Sequence, residues 1–343
     1  MKSEARRPFG VGIIGLGMAV APHMLALRDL EASGRAAVIG GHAPSAARRE
    51  AFAARWGAKV FAEQAALLAA PGLDLVLVLA PPGAHLPVAQ ECIAAGKHLI
   101  VEKPLELTVA RGEALVALAE AAGVRCGVCL QHRFRPASLR LKEAMLAGAL
   151  GQPLSASASI RWWRDDAYFA QPGRGSMARD GGGVLLTQAI HTLDLLLHLM
   201  GPVRDAAGFA LTSPLRAIDT EDVVAAALRF ENGAIGVLDA TSVARPGFAE
   251  RIEIAGTRSS AVLTAQRLEL HGIDGGAPAV FGDDGAGGGG ADPMAFDHGP
   301  HRALITEMLD AIENGRAPSC SARSALPVQR LIEAVLADAG RRG

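Results

Sequence analysis

Residues 11–20 have the sequence VGIIGLGMAV, in which an apolar run ends at Gly15-Leu16-Gly17 and a helical pattern follows. Glycines at this place let a strand turn tightly into a helix and let the backbone approach a pyrophosphate on the helix N-terminus. Val20 stands where the G-x-G-x-x-G fingerprint has its third small residue, so an ordinary strand–helix turn is the alternative. The turn predicts dinucleotide contacts at Gly15, Gly17, Met18 and Ala19.

Short apolar runs alternate with helical patterns up to about residue 130. The predicted strands are Val11–Ile14, Ala37–Ile39, Leu73–Leu79, His98–Val101 and Val124–Leu130, and the predicted helices are Pro44–Trp56, Leu86–Ala95 and Val109–Ala122. Strands that are apolar on both faces and alternate with helices indicate a parallel sheet covered on both sides. We therefore predict an α/β dinucleotide-binding domain over residues 1–130.

The pattern changes in the rest of the chain, which we predict to be an α+β domain over residues 131–343. Asn232-Gly233 lies between two apolar runs and predicts a β-hairpin. Further predicted strands are Leu154–Trp163, Arg251–Ile254, Ser260–Thr264 and Leu268–His271, and predicted helices are His301–Asn314 and Leu326–Ala339. The last helix, at about 325–340, is a candidate to pack back on the first domain. The glycine-rich segment Gly282–Pro293 predicts a surface linker, with a flap as the alternative.

Composition excludes several classes of protein. The chain has 343 residues, 34 Lys+Arg against 35 Asp+Glu and 4% aromatic residues, which argues against a nucleic-acid partner. The sequence has no run of about 18 apolar residues without Gly, Pro or charge, so we predict no membrane span. Four cysteines are too few for a disulfide framework and favour a reducing, cytoplasmic location. Arg6-Arg7 before an apolar run resembles a twin-arginine export signal, but the same run is better explained as a strand.

The second predicted strand ends without the acid that takes the ribose 2′-hydroxyl in NAD-binding folds. Gly41 stands where we expect that Asp, and His42, Ser45 and Arg48 follow it. These three side chains could meet a 2′-phosphate, which favours NADP over NAD as the cofactor. The alternative is that they are solvated loop residues.

Two further strand ends should lie at the same edge of the sheet, where ligands bind in open α/β folds. Ala80-Pro81 follows one strand, and Glu102-Lys103-Pro104 follows the next. Lys103 should therefore reach into the cofactor crevice, and Pro104 should stiffen the turn that directs it. Ala80 and Pro81 are further candidate cofactor contacts.

Taken together, these motifs resemble the glucose–fructose oxidoreductase / inositol dehydrogenase / MocA (Gfo/Idh/MocA) family of NAD(P)-dependent sugar oxidoreductases. The matching segments are Gly15-Leu16-Gly17 with His23, APPGAH running into AAGKHLIVEKP, QHRFRP (131–136), DGGGVLLTQAIHTLDLLLHLMG (180–201), EDVVAAALRFENGAIGVLDA (221–240) and AIENGRAP (311–318). The resemblance implies a Rossmann domain followed by a domain with a large, mostly antiparallel open sheet. That sheet commonly forms an oligomer interface, which implies a homodimer or homotetramer.

The resemblance also implies roles for single residues. The catalytic lysine of the family's E-K-P motif falls on Lys103, and its catalytic histidine falls on His191. Glu102, His85 and Gln131 are candidate cofactor contacts within the matching segments. Polyol dehydrogenases of the family have an Asp four residues before the histidine, where this chain has Thr187. In this respect the chain is more similar to members that act on sugar nucleotides or modified sugars.

The residues of this segment support the same reading by themselves. Thr187, Gln188, His191 and Asp194 are three or four positions apart and should share one face of a helix. A neutral histidine can accept a hydroxyl proton near pH 7, and Asp194 could orient it. Thr187 and Gln188 could hold substrate hydroxyls. The alternative is a polar helix face in water without a role.

Other candidate residues are less specific. Tyr168 and Arg174 could line a substrate pocket through an aromatic face and a guanidinium, with plain surface structure as the alternative. Cys126 and Cys129 form a C-x-x-C pattern, but residues three apart on a strand face opposite ways, so we expect buried small residues. The histidines show no metal-binding spacing, and we predict no metal.

The sequence therefore predicts an enzyme that transfers a hydride between nicotinamide and a secondary alcohol or ketone of a sugar, sugar derivative or polyol. His191 would take the hydroxyl proton in the oxidative direction, and Lys103 would stabilise negative charge on the substrate oxygen. The alternative is a non-catalytic, dinucleotide-binding sugar sensor or regulator of the same fold. Neither the sugar nor the physiological direction follows from the sequence.

Overall fold

The computed structural model of the protein describes residues 7–283 and 297–342. The chain forms two compact units: unit 1 comprises Met1–Glu106, Ala110–Cys129 and Asp297–Ala325, and unit 2 comprises Leu107–Val109, Leu130–Phe296 and Leu326–Gly343. This division differs from the expected cut at residue 130 in the last part of the chain. Residues 297–325 belong to unit 1, and the terminal segment from Leu326 belongs to unit 2.

The first part of the chain supplies strands and helices in alternation. The strands are β1 (Phe9–Ile14), β2 (Ala36–His42), β3 (Val60–Phe61), β4 (Leu73–Val78), β5 (His98–Val101) and β6 (Cys126–Val128). The helices are α1 (Val20–Ala32), α2 (Ala46–Trp56), α3 (Gln64–Leu68), α4 (His85–Ala94) and α5 (Val109–Ala121).

These strands form one six-stranded parallel sheet in the order β3-β2-β1-β4-β5-β6. Strand β1 is buried along its whole length because it lies between β2 and β4. The order reverses at β1 and β4, and ligands of such sheets bind at the carboxyl ends of the strands beside this switch. The predicted Rossmann sheet is confirmed. The run compared above with an export signal is β1 and the start of α1, and Arg6 lies outside the described residues.

The rest of the chain begins with α6 (Pro136–Leu146), β7 (Pro153–Arg161), α7 (Asp166–Phe169), α8 (Met177–Asp180) and α9 (Ile190–Met200). It continues with β8 (Val203–Leu211), β9 (Val223–Phe230), β10 (Ile235–Thr241), β11 (Arg251–Gly256), β12 (Ser259–Thr264), β13 (Arg267–Gly272) and β14 (Ala279–Phe281). The last helices are α10 (Gly299–Glu313) and α11 (Ala322–Arg342). Helices α6, α7 and α8 and strands β8 and β14 were not anticipated from the sequence.

The strands of unit 2 form an eight-stranded sheet in the order β14-β13-β12-β11-β7-β10-β9-β8. Its described pairings are antiparallel except that of β7 with β10, so the predicted, mostly antiparallel sheet is confirmed. The Asn232-Gly233 turn joins β9 to β10 as expected. Alternate residues of β9 and β10 are buried and exposed, and α9 packs on the neighbouring strands β7 and β11.

One helical stretch of unit 2 is apolar enough to raise the question of a membrane. Within the described ranges, Met177–Met200 alone has the length and hydropathy of a span, and 89% of its most apolar window is buried inside the protein. A helix buried to that extent is a core element. Of the glycine-rich segment Gly282–Pro293, only Gly282 and Asp283 lie within the described residues.

Candidate active site

The turn after β1 contains two glycines with different surroundings: Gly15 is tightly packed, and Gly17 has open space beside it. Gly15 has φ +97°, and a Cβ there would lie 2.5 Å from the backbone nitrogen of Ala80, so only glycine fits. A Cβ at Gly17 would meet nothing within 4 Å. The room at Gly17 lies beside the start of α1, whose N-cap residue Ala19 provides no side-chain acceptor. Unsatisfied N–H groups beside an open glycine fit the anionic pyrophosphate of a dinucleotide.

The end of β2 differs from the sequence expectation in one respect. A Cβ at Gly41 would lie 2.9 Å from Leu16 and 3.1 Å from Phe52, so position 41 faces packed side chains and is not where a ribose-binding acid would stand. The last strand residue is His42, which is buried with Nδ1 3.0 Å from the carbonyl oxygen of Phe61.

The loop after β2 still presents two of the three residues that we expected at a 2′-phosphate. Ser45 is exposed and caps α2, where its hydroxyl accepts a hydrogen bond from the backbone N–H of Arg48. The Arg48 side chain is exposed in the first turn of this helix. His42 is held against Phe61, so Ser45 and Arg48 remain the accessible candidates.

His85 has a different role from the one that we expected. It is fully buried, and its Nε2 lies 2.9 Å from the carbonyl oxygen of Ala80 while its Nδ1 lies 3.0 Å from that of Pro104. Burial lowers the pKa of this imidazole and keeps it neutral. The buried ring therefore presents no exposed surface to a cofactor. His85 instead lies between the turn after β4, with half-buried Ala80 and exposed Pro81, and the turn after β5, and as a neutral ring it donates a hydrogen bond to a carbonyl of one of them.

Lys103 follows the end of β5 and is half-buried, and its peptide bond to Pro104 is cis. Its backbone N–H donates to Oε2 of Glu102 at 2.9 Å, and Oε1 of Glu102 lies 2.8 Å from Nε2 of His23. Burial alone would raise the pKa of the Glu102 carboxyl, but the hydrogen bond and charge of His23 and the charge of Lys103 hold it well below its usual range. Both Glu102 oxygens are thus engaged within unit 1, so this residue supports the turn rather than standing open to a cofactor.

In unit 2, the segment before α9 departs from the regular helix that we predicted. Leu185–Ala189 forms a single π-helical turn that continues into α9, and such turns occur frequently at functional sites. Its start is held by Glu221, which accepts hydrogen bonds from the backbone N–H groups of Gly183 (2.9 Å) and Leu185 (3.1 Å). Burial raises the pKa of Glu221, and these two bonds oppose that effect. The sequence offered no local signal for this contact, because its partners are nearly 40 residues apart.

His191 and Asp194 do not form the pair that we considered. Arg133 binds both carboxylate oxygens of Asp194, with Nε 2.7 Å from Oδ2. The ring of His191 instead stacks on that of His132, with centroids 4.8 Å apart. Both His191 and Asp194 are buried, so this part of the helix is not a polar face in water. Gln131, which begins the same short turn as His132, is also buried.

Four of the five candidate substrate residues line one cleft of unit 2, and His191 is not among its lining residues. Its wall includes Tyr168, Arg174, Thr187 and Gln188. The Arg174 guanidinium lies 5.0 Å from the centre of the Tyr168 ring and 3.2 Å from Asp180. The Thr187 hydroxyl donates to the carbonyl oxygen of Gly183 at 2.7 Å. The cleft therefore offers hydrogen-bonding groups and an aromatic face, as a polyhydroxylated ligand requires.

The C-x-x-C pattern consists of two buried thiols. Cys126 and Cys129 are both buried and outside any disulfide, as we expected. Burial raises the pKa of the Cys126 thiol to about 12, so it stays protonated and unreactive.

Family models match most of the chain. A model described as an oxidoreductase family with an NAD-binding Rossmann fold (GFO_IDH_MocA) matches residues 9–130, and the GFO/IDH/MocA C-terminal domain matches residues 138–262. A D-apiose dehydrogenase of Paraburkholderia graminis is 30% identical over 339 residues, which cover 95% of this chain and 86% of that protein. A myo-inositol 2-dehydrogenase of Thermotoga maritima is 30% identical over 207 residues, or 58% of this chain and 59% of that one.

Solved structures share the fold over almost the whole length. A levoglucosan dehydrogenase in complex with NADH and levoglucosan has a TM-score of 0.87 and 23% identity, with 98% of each chain covered. The WlbA dehydrogenase of Bordetella pertussis in complex with NADH and UDP-GlcNAcA has a TM-score of 0.84 and 24% identity, again over 98% of each chain. At these identities the likeness concerns the fold.

Proposed function

This chain belongs to the GFO/IDH/MocA family of oxidoreductases, and on that premise we propose that it transfers a hydride between a nicotinamide dinucleotide and a secondary alcohol or ketone of a sugar, sugar derivative or polyol. The position of Lys103 is the main observation that supports this proposal. Lys103 follows β5 at the same sheet edge as the open glycine turn after β1, with only β4 between the two strands. A lysine there suits a reaction at a bound nicotinamide.

Different residues of the chain have separate roles in this reaction. The turn at Gly15, Gly17, Met18 and Ala19 holds the pyrophosphate. A bound nicotinamide supplies the hydride acceptor or donor. Lys103, from unit 1, donates a hydrogen bond to the substrate oxygen and stabilises its negative charge. His191, from unit 2, accepts the hydroxyl proton in the oxidative direction.

The cleft of unit 2 supports a carbohydrate as the substrate. Its lining residues Tyr168, Arg174, Thr187 and Gln188 carry polar groups of the kind that bind hydroxyls. Relatives named for D-apiose, inositols and levoglucosan agree with this class of compound. A non-catalytic regulator of the same fold gains no support from these relatives, because their names are those of dehydrogenases.

We propose NADP as the preferred cofactor, although relatives named for NAD and for NADP both occur. The stretch from Ala36 to Arg49 contains no acid, and Ser45 and Arg48 are exposed at the start of α2. A 2′-phosphate there would meet an arginine and a helix N-terminus. A cytoplasmic location agrees with four cysteines that are buried and outside any disulfide. Association through the open sheet of unit 2 would give a homodimer or homotetramer.

The test is a fluorescence titration of the purified protein with NADPH and with NADH. An assay of D-apiose, myo-inositol, scyllo-inositol and levoglucosan with the tighter-binding cofactor follows. We expect Lys103→Met to lower kcat by about 10²–10³-fold, the loss typical of one donor to a developing oxyanion, with nucleotide affinity unchanged. Lys97→Met, which removes a lysine that donates to the Leu73 carbonyl, is the control. Full activity of Lys103→Met, or binding of neither nucleotide, would overturn the proposal.

A further inference from the structure

Four side chains of unit 1 converge beside the turn that carries Lys103. His23 comes from α1, Glu102 follows β5, Cys129 follows β6, and His301 comes from α10. One nitrogen, oxygen or sulfur atom from each of the four lies within 4.8 Å of those of the others. His23, Cys129 and His301 are buried, and the Glu102 side chain is 15% exposed. We call these four residues the Glu102 cluster.

The hydrogen bonds of Glu102 determine how the cluster is protonated. An ionised carboxylate only accepts hydrogen bonds, so Nε2 of His23, 2.8 Å from Oε1, must carry a proton. The other oxygen accepts the backbone N–H of Lys103 at 2.9 Å. Glu102 therefore joins α1 to the first peptide group of the Lys103 turn. The ring of His301 stands edge-on to His23 at 5.0 Å between centroids, so α10 supports the same contact.

Ligands of this kind could also surround a metal ion, but the distances favour hydrogen bonding. At metal–ligand distances of about 2.0–2.1 Å, the nitrogen and oxygen ligands of a tetrahedral zinc stand roughly 3.3 Å apart. The 2.8 Å between His23 and Glu102 is instead an ordinary N–H···O distance. Burial and the Glu102 carboxylate raise the pKa of the Cys129 thiol well above its usual value, so this side chain stays a thiol.

We infer that Glu102 is a positioning residue: its carboxylate joins Nε2 of His23 to the backbone N–H of Lys103 and so fixes the turn from which the Lys103 side chain starts, with a negative charge beside that side chain. This inference rests on the proposed function, in which Lys103 is catalytic. An adjacent negative charge favours the charged form of a lysine, and the ammonium in turn favours an ionised Glu102. The other titratable groups around the pair are His23, His301 and Cys129, with His85 and Cys320 behind them.

The test uses the full chain and measures how the reactivity of the Lys103 amine depends on pH. Competitive labelling of amines with acetic anhydride over a pH series, read by mass spectrometry, gives the pH at which Lys103 becomes reactive. We expect Glu102→Gln, which keeps the size of the side chain but removes its charge, to lower that midpoint by about one pH unit or more. The midpoint of Lys97 in the same samples serves as the internal control. An unmoved Lys103 midpoint in folded Glu102→Gln would overturn the inference.

A second variant separates charge from position. Glu102→Asp keeps the charge but is one methylene too short to reach both His23 and the Lys103 N–H. For Glu102→Asp we expect a labelling midpoint of Lys103 near that of the wild type. We also expect slower turnover, measured with the compound of the substrate assay that the wild type oxidises fastest. Unchanged turnover in Glu102→Asp would overturn the inference even if Glu102→Gln did not fold. Stoichiometric zinc in the purified protein, measured by inductively coupled plasma mass spectrometry, would also overturn it.

The two proposals fail in different ways. If Lys103→Met keeps its activity, the proposed function is wrong. The labelling midpoint of Lys103 in Glu102→Gln still tests whether the Glu102 charge acts on Lys103. If Lys103→Met is inactive but the labelling midpoint of Lys103 is the same in Glu102→Gln as in the wild type, only the proposed role of Glu102 is wrong.

Discussion

Arg133 binds both carboxylate oxygens of Asp194 in the interior of unit 2, so this acid is committed to an arginine and not to the nearby His191. The side chains of Arg133 and Asp194 are 7% and 2% exposed. A buried ion pair of this kind costs desolvation, and its loss leaves one buried charge without compensation. The pair therefore holds the turn that contains His132 against α9, on which His191 lies.

We expect Asp194→Asn to lower the free energy of unfolding by about 3–5 kcal/mol, because it leaves the Arg133 charge buried without its counter-ion. Urea denaturation followed by circular dichroism measures this change. Asp239→Asn is the matched control: its pair with Arg161 is 42–50% exposed, so the expected cost is at most about 1 kcal/mol. A stable Asp194→Asn with an altered pH profile of activity would mean that Asp194 orients His191 after all.

His191→Asn should lower kcat in the oxidative direction by about 10²–10⁴-fold, the range for loss of a general base, and leave nucleotide binding unchanged. Initial rates and a nucleotide titration of the same preparation check this. The control is His198→Gln on the same helix, where burial lowers the histidine pKa to about 4 and keeps the ring neutral at working pH. Equal losses in both variants would point to damage to α9 rather than to a catalytic role of His191.

Arg48→Glu should weaken NADPH binding by about 10–100-fold, because a charged hydrogen bond contributes about 1.5–3 kcal/mol. NADH affinity should change little, since NADH has no 2′-phosphate. Fluorescence titrations with both nucleotides measure the difference. Arg55→Glu makes the same charge change in the last turn of α2, away from the helix N-terminus, and should leave both affinities unchanged. A parallel loss of NADH and NADPH binding would contradict a 2′-phosphate contact.

Val237→Lys should shift the protein toward the monomer if the open sheet is an interface between copies. Val237 is 55% exposed on β10, near the 60% exposed Ile235 of the same strand, and a lysine there would bury charge between two sheets. Sedimentation velocity measures the state of association. Leu146→Lys, at a 76% exposed position at the end of α6, is the control. A wild-type monomer, or a variant that associates like the wild type, would contradict this interface.

The sequence by itself determined the features that depend on neighbours along the chain. The glycine turn at Gly15, the alternation of strands and helices and the Asn232-Gly233 hairpin are local patterns, and each forms the predicted element. Lys103 was placed at the sheet edge by the same logic, because a residue directly after a parallel strand lies at its carboxyl end.

Only the tertiary structure decided which partner each polar side chain takes. Arg133 and Asp194 are 61 residues apart, and His23 and Glu102 are 79 apart. His85 is withdrawn from the cofactor edge because the carbonyl groups of two separate turns enclose its ring, and Gly41 faces inward because Leu16 and Phe52 pack against it. Spacing along one helix or strand cannot anticipate these contacts, since they are set by the packing of elements that are distant in sequence.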